Sequence, residues 1–283
     1  MIRVLITGAG SYIGTHIAAH LSQYPDRFQV EELDIQEGLH PQAFSGVDTV
    51  IHVAGIAHRK ETPESELEYL AVNGLLPVET ARMAKNAGVK HFIFFSSMSV
   101  YGMTTGRITA DTKPSPNTFY GQSKQAAENG LRHVADENFR IAVLRPPMIY
   151  GRGCKGNYPR LAALAKKSPL FPRVKNERSM LYIGTLCAFM EKLIESGKGG
   201  LYFPQNREYV NTTEMVKRIA ACHGRKLLSI PGFDWLLRLL EKRVSVVGKV
   251  FGTLTYDLAM STEFAHENEM PFAQTIRETE VEE

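Results

Sequence analysis

Residues 3–14, RVLITGAGSYIG, decide the fold. Arg3–Thr7 is a short apolar run bounded by glycine, the pattern of a buried strand. Gly8, Gly10 and Gly14 follow, and Tyr12–Gln23 then carries helical periodicity. A glycine turn between strand and helix lets the backbone approach a pyrophosphate, and the helix N-terminus adds unpaired N–H groups and a positive dipole end. Ser11, Tyr12 and Ile13 lie inside this turn and join the glycines as candidate cofactor contacts. Phe28–Asp34 reads as the next strand, with Asp34 ending it 20 residues past Gly14. A carboxylate there can accept both hydroxyls of an adenosine ribose and would repel a 2′-phosphate, which favours NAD over NADP.

Outward from that turn, strands and helices alternate. Thr49–Val53, His91–Ser96 and Ile141–Arg145 read as strands, the last halted by Pro146 and Pro147. Glu66–Ala87, ended by Gly88, and Tyr120–Glu137 read as helices. The alternation predicts an α/β fold, a doubly wound, Rossmann-like parallel sheet covered on both faces. From Gly151 onward the texture changes to Gly, Pro and basic residues, and the segments RSMLYIGTLCAFMEKLIE and GLYFP then resemble returns to the sheet. The expected division is a dinucleotide-binding domain at 1–151, rejoined by 179–204. A smaller C-terminal substrate lobe would comprise 152–178 and 205–283. The acidic end, RETEVEE, is expected to fray into solvent.

The stretch TFYGQSKQAAE places Tyr120 and Lys124 four residues apart, on one helix face. An ammonium beside a phenol favours the phenolate and pulls its pKa down from about 10. Alone, this spacing is usually a helix surface pair. Following a nucleotide turn and the serine run FIFFSSMSVYG, it reads as a proton shuttle.

Composition excludes several classes. A formal charge of +3 over 283 residues, with Lys and Arg scattered, gives no nucleic-acid signature. Cys154, Cys187 and Cys222 are odd in number and widely spaced, which suits a reducing cytoplasm and offers no metal site. The N-terminus lacks a signal-peptide layout, and no run is long enough to span a membrane. Residues 233–252, FDWLLRLLEKRVSVVGKVFG, could lie on a membrane surface near lipid-linked chemistry, although packing on the lobe is the blander reading. His52 reads as a packed core histidine and Glu128 as a helix surface charge. His58 and His91 have no partners at metal-ligand spacing. Arg152 and Lys155 read as solvated loop charges.

With TGAGSYIG, VDTVIHVAG, Asn73 in AVNGLLPVETARMAK, FFSSMSVYG, YGQSK and RPPMIYG in this order, the chain resembles the extended short-chain dehydrogenase/reductase family. The likeness is to its nucleotide-sugar epimerase/dehydratase branch. It implies Tyr120 as general acid/base, Lys124 as the nicotinamide-ribose ligand, and Ser97 as the serine bonding the reacting oxygen. It implies cofactor contacts at Ala54, Gly55, Asn73, Ser96 and Pro146, with Tyr150 near the nicotinamide. Asn157 and Arg178 match positions that grip the diphosphate of a sugar nucleotide. Met98, beside Ser97, either lines the substrate pocket or only packs, as does Tyr101. The family's usual glycine is Ser11 here, and Gly184 stands where aspartate is common. The interval from Asp34 to Thr49 is too short for the usual strand–helix–strand connection.

The family's dehydratases follow the catalytic Ser/Thr with Asp-Glu, whereas this chain has Ser97-Met98-Ser99. The expectation is therefore NAD-dependent C4 epimerisation of a UDP-linked hexose (glucose/galactose or N-acetylhexosamine forms). One alternative is NAD(P)H-dependent reduction of a 4-keto-6-deoxy sugar nucleotide. A second is a non-catalytic dinucleotide sensor. A homodimer through the helices of 66–87 and 120–137 is implied by the resemblance alone.

Overall fold

A computed structural model describes the chain apart from residues 36–37, 58, 233–247, 249, 264–268 and 282–283. Strand β1 (Ile2–Thr7) feeds α1 (Tyr12–Leu21) and then β2 (Phe28–Leu33) and β3 (Thr49–His52). Next come α2 (Glu66–Tyr69), a π-helical turn (Leu70–Leu75), α3 (Leu76–Asn86), β4 (His91–Phe95) and β5 (Gly106–Ile108). They are followed by α4 (Phe119–Arg132), β6 (Arg140–Leu144) and β7 (Met148–Tyr150). The second half contains α5 (Asn157–Lys167), β8 (Leu170–Pro172), β9 (Met180–Tyr182), α6 (Ile183–Ser196) and β10 (Gly200–Tyr202). It ends with α7 (Thr212–Cys222), β11 (Leu228–Ile230), β12 (Leu254–Tyr256) and α8 (Phe272–Glu280).

The main sheet has the order β2-β1-β3-β4-β6-β10, parallel throughout. Side chains alternate across it. Val4 and Ile6 pack with Ile17 and Leu21 of α1 and with Leu186, Phe189 and Leu193 of α6. Leu5 points the other way, into a cluster with Val50, Phe92, Phe94, Ala81 of α3 and Leu131 of α4. Helices thus cover both faces, as the apolar strands require. Winding reverses between β2 and β3, which flank β1. In open α/β sheets the crevice beyond the strand ends at such a switch point takes the ligand.

The shortened connection after β2 is present as anticipated. Among the described residues a 3-10 turn, Pro41–Phe44, bridges toward β3, and Phe44 is buried against the sheet. The long helix expected over 66–87 is interrupted. Pro77 has no N–H for the Asn73 carbonyl, and its ring would press on that oxygen, so the preceding turn widens.

Of three two-stranded pairs, β7–β9 and β8–β11 adjoin a second core of Tyr158, Phe171, Met215, Ile219 and Ile276, while β12–β5 packs with Val100 and Tyr101. The expectation of a frayed acidic end is corrected. The chain is helical through Glu280, whose carboxylate meets Lys166 Nζ at 2.9 Å and His223 Nε2 at 2.7 Å. Most of the apolar 233–252 segment falls outside the described residues. Among the described residues no helix is long and apolar enough to cross a membrane.

His52 is fully buried with Nδ1 2.9 Å from the Thr7 hydroxyl, the packed core histidine that was expected. Burial first, and the Lys124 charge second, lower its pKa from 6.5 to about 3. Burial likewise lowers His91 to about 4. Both rings stay neutral in the folded chain while the unfolded chain protonates them. Stability should therefore fall as pH drops below about 6.5, with the His91 share of the loss complete near 4 and the His52 share continuing down to about 3. Urea midpoints between pH 7 and 4.5 check this, and His52→Asn should flatten the slope.

Candidate active site

Gly8 leaves β1 with φ +98°. Its amide donates to the Leu33 carbonyl at 2.9 Å and that of Ala9 to the same oxygen at 3.2 Å, so the turn is stitched to the end of β2 beside Asp34. A methyl built on Gly8 would lie 2.9 Å from the Ala54 nitrogen, whereas one on Gly10 (φ +70°) meets nothing within 4 Å. Gly14 allows close packing, because a Cβ there would reach 3.2 Å from both Ile6 and Val53. Ser11 caps α1 by accepting the Gly14 amide at 3.2 Å. The first amides of α1, at Tyr12 and Ile13, lack intrahelical acceptors by geometry and carry the positive dipole end. Ile13 packs on the sheet core. The Tyr12 hydroxyl is buried without a hydrogen-bond partner among the described residues, and burial pushes its pKa up. The open side at Gly10, the exposed amides and Asp34 beside the turn fit a dinucleotide diphosphate and ribose. Gly8→Ala should cost about 1–2 kcal/mol for the left-handed backbone alone, plus the clash on Ala54. Thermal unfolding and retained dinucleotide both read the loss.

The floor beyond β3 is braced by Asn73. Its Oδ1 accepts the Ile56 amide at 2.8 Å and its Nδ2 donates to the Ile56 carbonyl at 2.9 Å. Ala54 is buried and its amide bonds the Thr7 carbonyl at 3.1 Å. A methyl on Gly55 would lie 2.8 Å from Asn73 Oδ1 and 3.5 Å from Lys124 Nζ. The glycine bed and the Tyr120–Lys124 helix therefore meet at Gly55.

Helix α4 starts at a Thr118 cap, and Glu61 reinforces it. The two oxygens of Glu61 accept the amides of Phe119 and Tyr120 at 3.0 Å each. Tyr120 is half-buried and edge-on to Tyr69, with ring centroids 6.4 Å apart. Lys124 donates to the Phe95 carbonyl at 2.8 Å and sits 4.8 Å over the Phe94 ring. Burial lowers its pKa to about 8, against the opposing pull of Glu128. The expectation that Lys124 depresses the Tyr120 pKa is not met. Burial raises the phenol pKa, the Ser97 hydrogen bond lowers it, and the Tyr69 phenol raises it further. In this structure the ammonium is directed at a backbone carbonyl instead.

Ser97 accepts the Ser99 amide at 3.1 Å and caps a 3-10 turn, Met98–Tyr101. The Met98 amide donates to the Pro146 carbonyl at 3.0 Å, which ties the serine loop to the end of β6. Met98 itself packs on Val100, Tyr101, Ile108 and Tyr256. Ser96 points elsewhere, donating to Glu128 Oε1 at 2.5 Å in the core.

One reading is corrected here. Glu128 is no surface charge. It is 4% exposed and holds Arg145 through Nε at 2.9 Å and Nη2 at 2.5 Å. Tyr150 packs in the lobe, bonded to Thr275 at 2.7 Å and Asn206 at 3.1 Å.

Asn157 opens α5 after Gly156 (φ +96°), and Arg178 Nη1 donates to the Gly252 carbonyl at 2.8 Å. Neither bonds the Tyr120 group. Sequence reasoning missed Glu61, Tyr69 and the Glu128–Arg145 pair. The spacing of Tyr120, Lys124 and Glu128 at i, i+4 and i+8 was the available signal for the last.

A dinucleotide-binding sheet carrying a tyrosine–lysine pair and a serine at its switch point is the architecture of a nicotinamide-dependent enzyme acting on hydroxyl or carbonyl groups. Residues 4–202 match the model of the NAD dependent epimerase/dehydratase family, and the chain belongs to that family. It is 26% identical to a UDP-glucose 4-epimerase of Vibrio cholerae, over 92% of this chain and 88% of that one. It is 29% identical to the N-acetyl-alpha-D-glucosaminyl-diphospho-ditrans,octacis-undecaprenol 4-epimerase of Escherichia coli O157:H7, over 90% and 87%. The fold is shared with a UDP-glucuronic acid 4-epimerase of Bacillus cereus in complex with NAD. That match has a TM-score of 0.77 at 18% identity and covers 98% of this chain and 97% of that one.

Proposed function

We propose that this chain is an NAD-dependent 4-epimerase of a UDP-linked hexose. The observation that carries the reading is the half-buried Tyr120 phenol, whose pKa Ser97 pulls down against burial, with no carboxylate following that serine. Glu61, the nearby acid, turns its two oxygens to backbone amides at the start of α4. Tyr120 takes the proton of the sugar O4 while Ser97 holds that oxygen. Bound NAD would supply the acceptor for the electron pair of the C4–H bond and return the pair in the second half. The 4-keto sugar turns in the pocket, and Tyr120 gives the proton back on the other configuration.

Gly8, Gly10, Ser11, Tyr12, Ile13, Gly14 and Asp34 would hold the adenosine diphosphate half. Ala54, Gly55, Asn73, Ser96, Lys124 and Pro146 would frame the nicotinamide half. Met98, Asn157 and Arg178 would face the sugar nucleotide, with the lobe of 152–178 and 205–283 closing over it. Support for the UDP-sugar comes from the curated relatives and their printed substrates. Free thiols at Cys154, Cys187 and Cys222 suit a reducing cytoplasm.

The purified chain should carry NAD by mass spectrometry and interconvert UDP-glucose and UDP-galactose, or their N-acetyl forms, without added cofactor. Stoichiometric use of NADPH on a 4-keto-6-deoxy sugar nucleotide would put the reductase reading in its place. A homodimer completes the proposal, supported by Leu67 (77% exposed) and Leu75 (61% exposed) on the α2–α3 stretch beside α4. Light scattering should give twice the chain mass, and Leu67→Glu with Leu75→Glu should halve it.

A further inference from the structure

Charge is unevenly distributed along this chain. Residues 152–178 hold eight Lys and Arg against one Glu, and residues 223–252 hold six against two acids. Because the whole chain carries only +3, everything outside these stretches is net negative. The fold joins the first stretch to the start of the second. Strand β8 pairs with β11 in parallel, with Leu170 opposite Leu228.

Residues in register point to the same side of a sheet. Leu170 is 46% and Leu228 67% exposed, while Phe171, the next residue along, is buried in the lobe core. One face of this ribbon therefore presents two leucines outward. Helix α5 repeats the pattern. Tyr158, Leu161, Ala162 and Ala165 are its buried stripe, and Arg160, Ala163, Leu164 and Lys167 form an exposed stripe at i, i+3, i+4 and i+7. Leu170 lies three positions after Lys167, a reach of at most about 11 Å. Arg173, Lys175, Arg225 and Lys226 are exposed around the leucines, and no carboxylate pairs with them among the described residues.

We propose that the β8–β11 ribbon and the outer stripe of α5 form a docking face for an anionic lipid bilayer. Single exposed leucines are ordinary on a protein surface. Exposed leucines on strands flanked in sequence by exposed cations match the interfacial pattern, in which aliphatic side chains enter the acyl boundary and Lys and Arg meet anionic headgroups. A nucleic-acid surface would instead interleave its cations with exposed aromatic rings for base stacking, and the apolar groups here are aliphatic. The face goes beyond the epimerase reading and is measured apart from it.

The full chain is sedimented with vesicles of phosphatidylcholine alone and of phosphatidylcholine with phosphatidylglycerol, at low and high salt. Binding is expected only to the anionic vesicles, and to weaken with salt. Each Lys or Arg is worth roughly fivefold at such a surface, so K167Q/R173Q/R225Q/K226Q should lower partitioning at least about 100-fold. L170S/L228S should lower it about tenfold through lost apolar burial. Both variants should keep the wild-type thermal midpoint and turnover of soluble UDP-hexose. Equal sedimentation with both vesicle types, none with either, or binding unchanged in both variants would overturn the proposal. So would tight binding of duplex DNA that anionic vesicles fail to compete away.

Discussion

The Tyr120→Phe enzyme is expected to lose about 10²–10⁴-fold in 4-epimerase turnover while retaining its dinucleotide. The substitution removes one oxygen and keeps the ring that packs edge-on against Tyr69. Glu61 bonds the Tyr120 amide and not its side chain, so the start of α4 should stay in place. Loss of rate with retained NAD therefore isolates the proton transfer. Unchanged turnover would remove the catalytic role and favour a dinucleotide sensor.

The same phenol sets the pH profile. The base form is deprotonated, so rate should fall as pH drops below the Tyr120 pKa. Burial raises that pKa and the Ser97 hydrogen bond lowers it. Ser97→Ala removes only the lowering influence, and the acidic limb of kcat should shift to higher pH. A stopped assay across pH 6–10 in wild type and variant checks the direction.

The sequence made the sheet legible because its strands are short apolar runs between helices of 3.6-residue period. Glycines at Gly8, Gly10 and Gly14 fixed where the first turn had to lie, and the missing crossover showed in the short interval before Thr49. What stayed hidden was tertiary. Glu128 was read as a surface charge because a carboxylate on a helix is normally solvated, and its partner Arg145 lies just past strand β6, 17 residues away. Lys124 was paired with Tyr120 by spacing alone. Periodicity cannot show that the Phe95 carbonyl, on a neighbouring strand, competes for the ammonium. The acidic end was read from composition, and Glu280 proved to be a buried hydrogen-bond acceptor for α5 and α7.

Glu128→Gln should destabilise the fold by about 3–5 kcal/mol, measured by urea unfolding. It keeps the shape but leaves Arg145, 5% exposed, without its counter-charge in the core. The network extends further, since Ser96 donates to Glu128 and Arg145 Nη1 donates to the Tyr101 hydroxyl at 2.8 Å. Replacing both ions, as in Glu128→Leu with Arg145→Met, removes the unpaired charge. It still strands the hydroxyls of Ser96 and Tyr101, each at about 1–3 kcal/mol. The double variant should therefore cost less than the two single losses added together. A double-mutant cycle reads that difference as coupling. Additive losses would mean that the pair contributes nothing as a unit. Glu128 also raises the Lys124 pKa against burial, so Glu128→Gln should carry that lysine below about 8. Less of it is then protonated at neutral pH, and the alkaline limb of cofactor retention should move to lower pH along with the loss of stability.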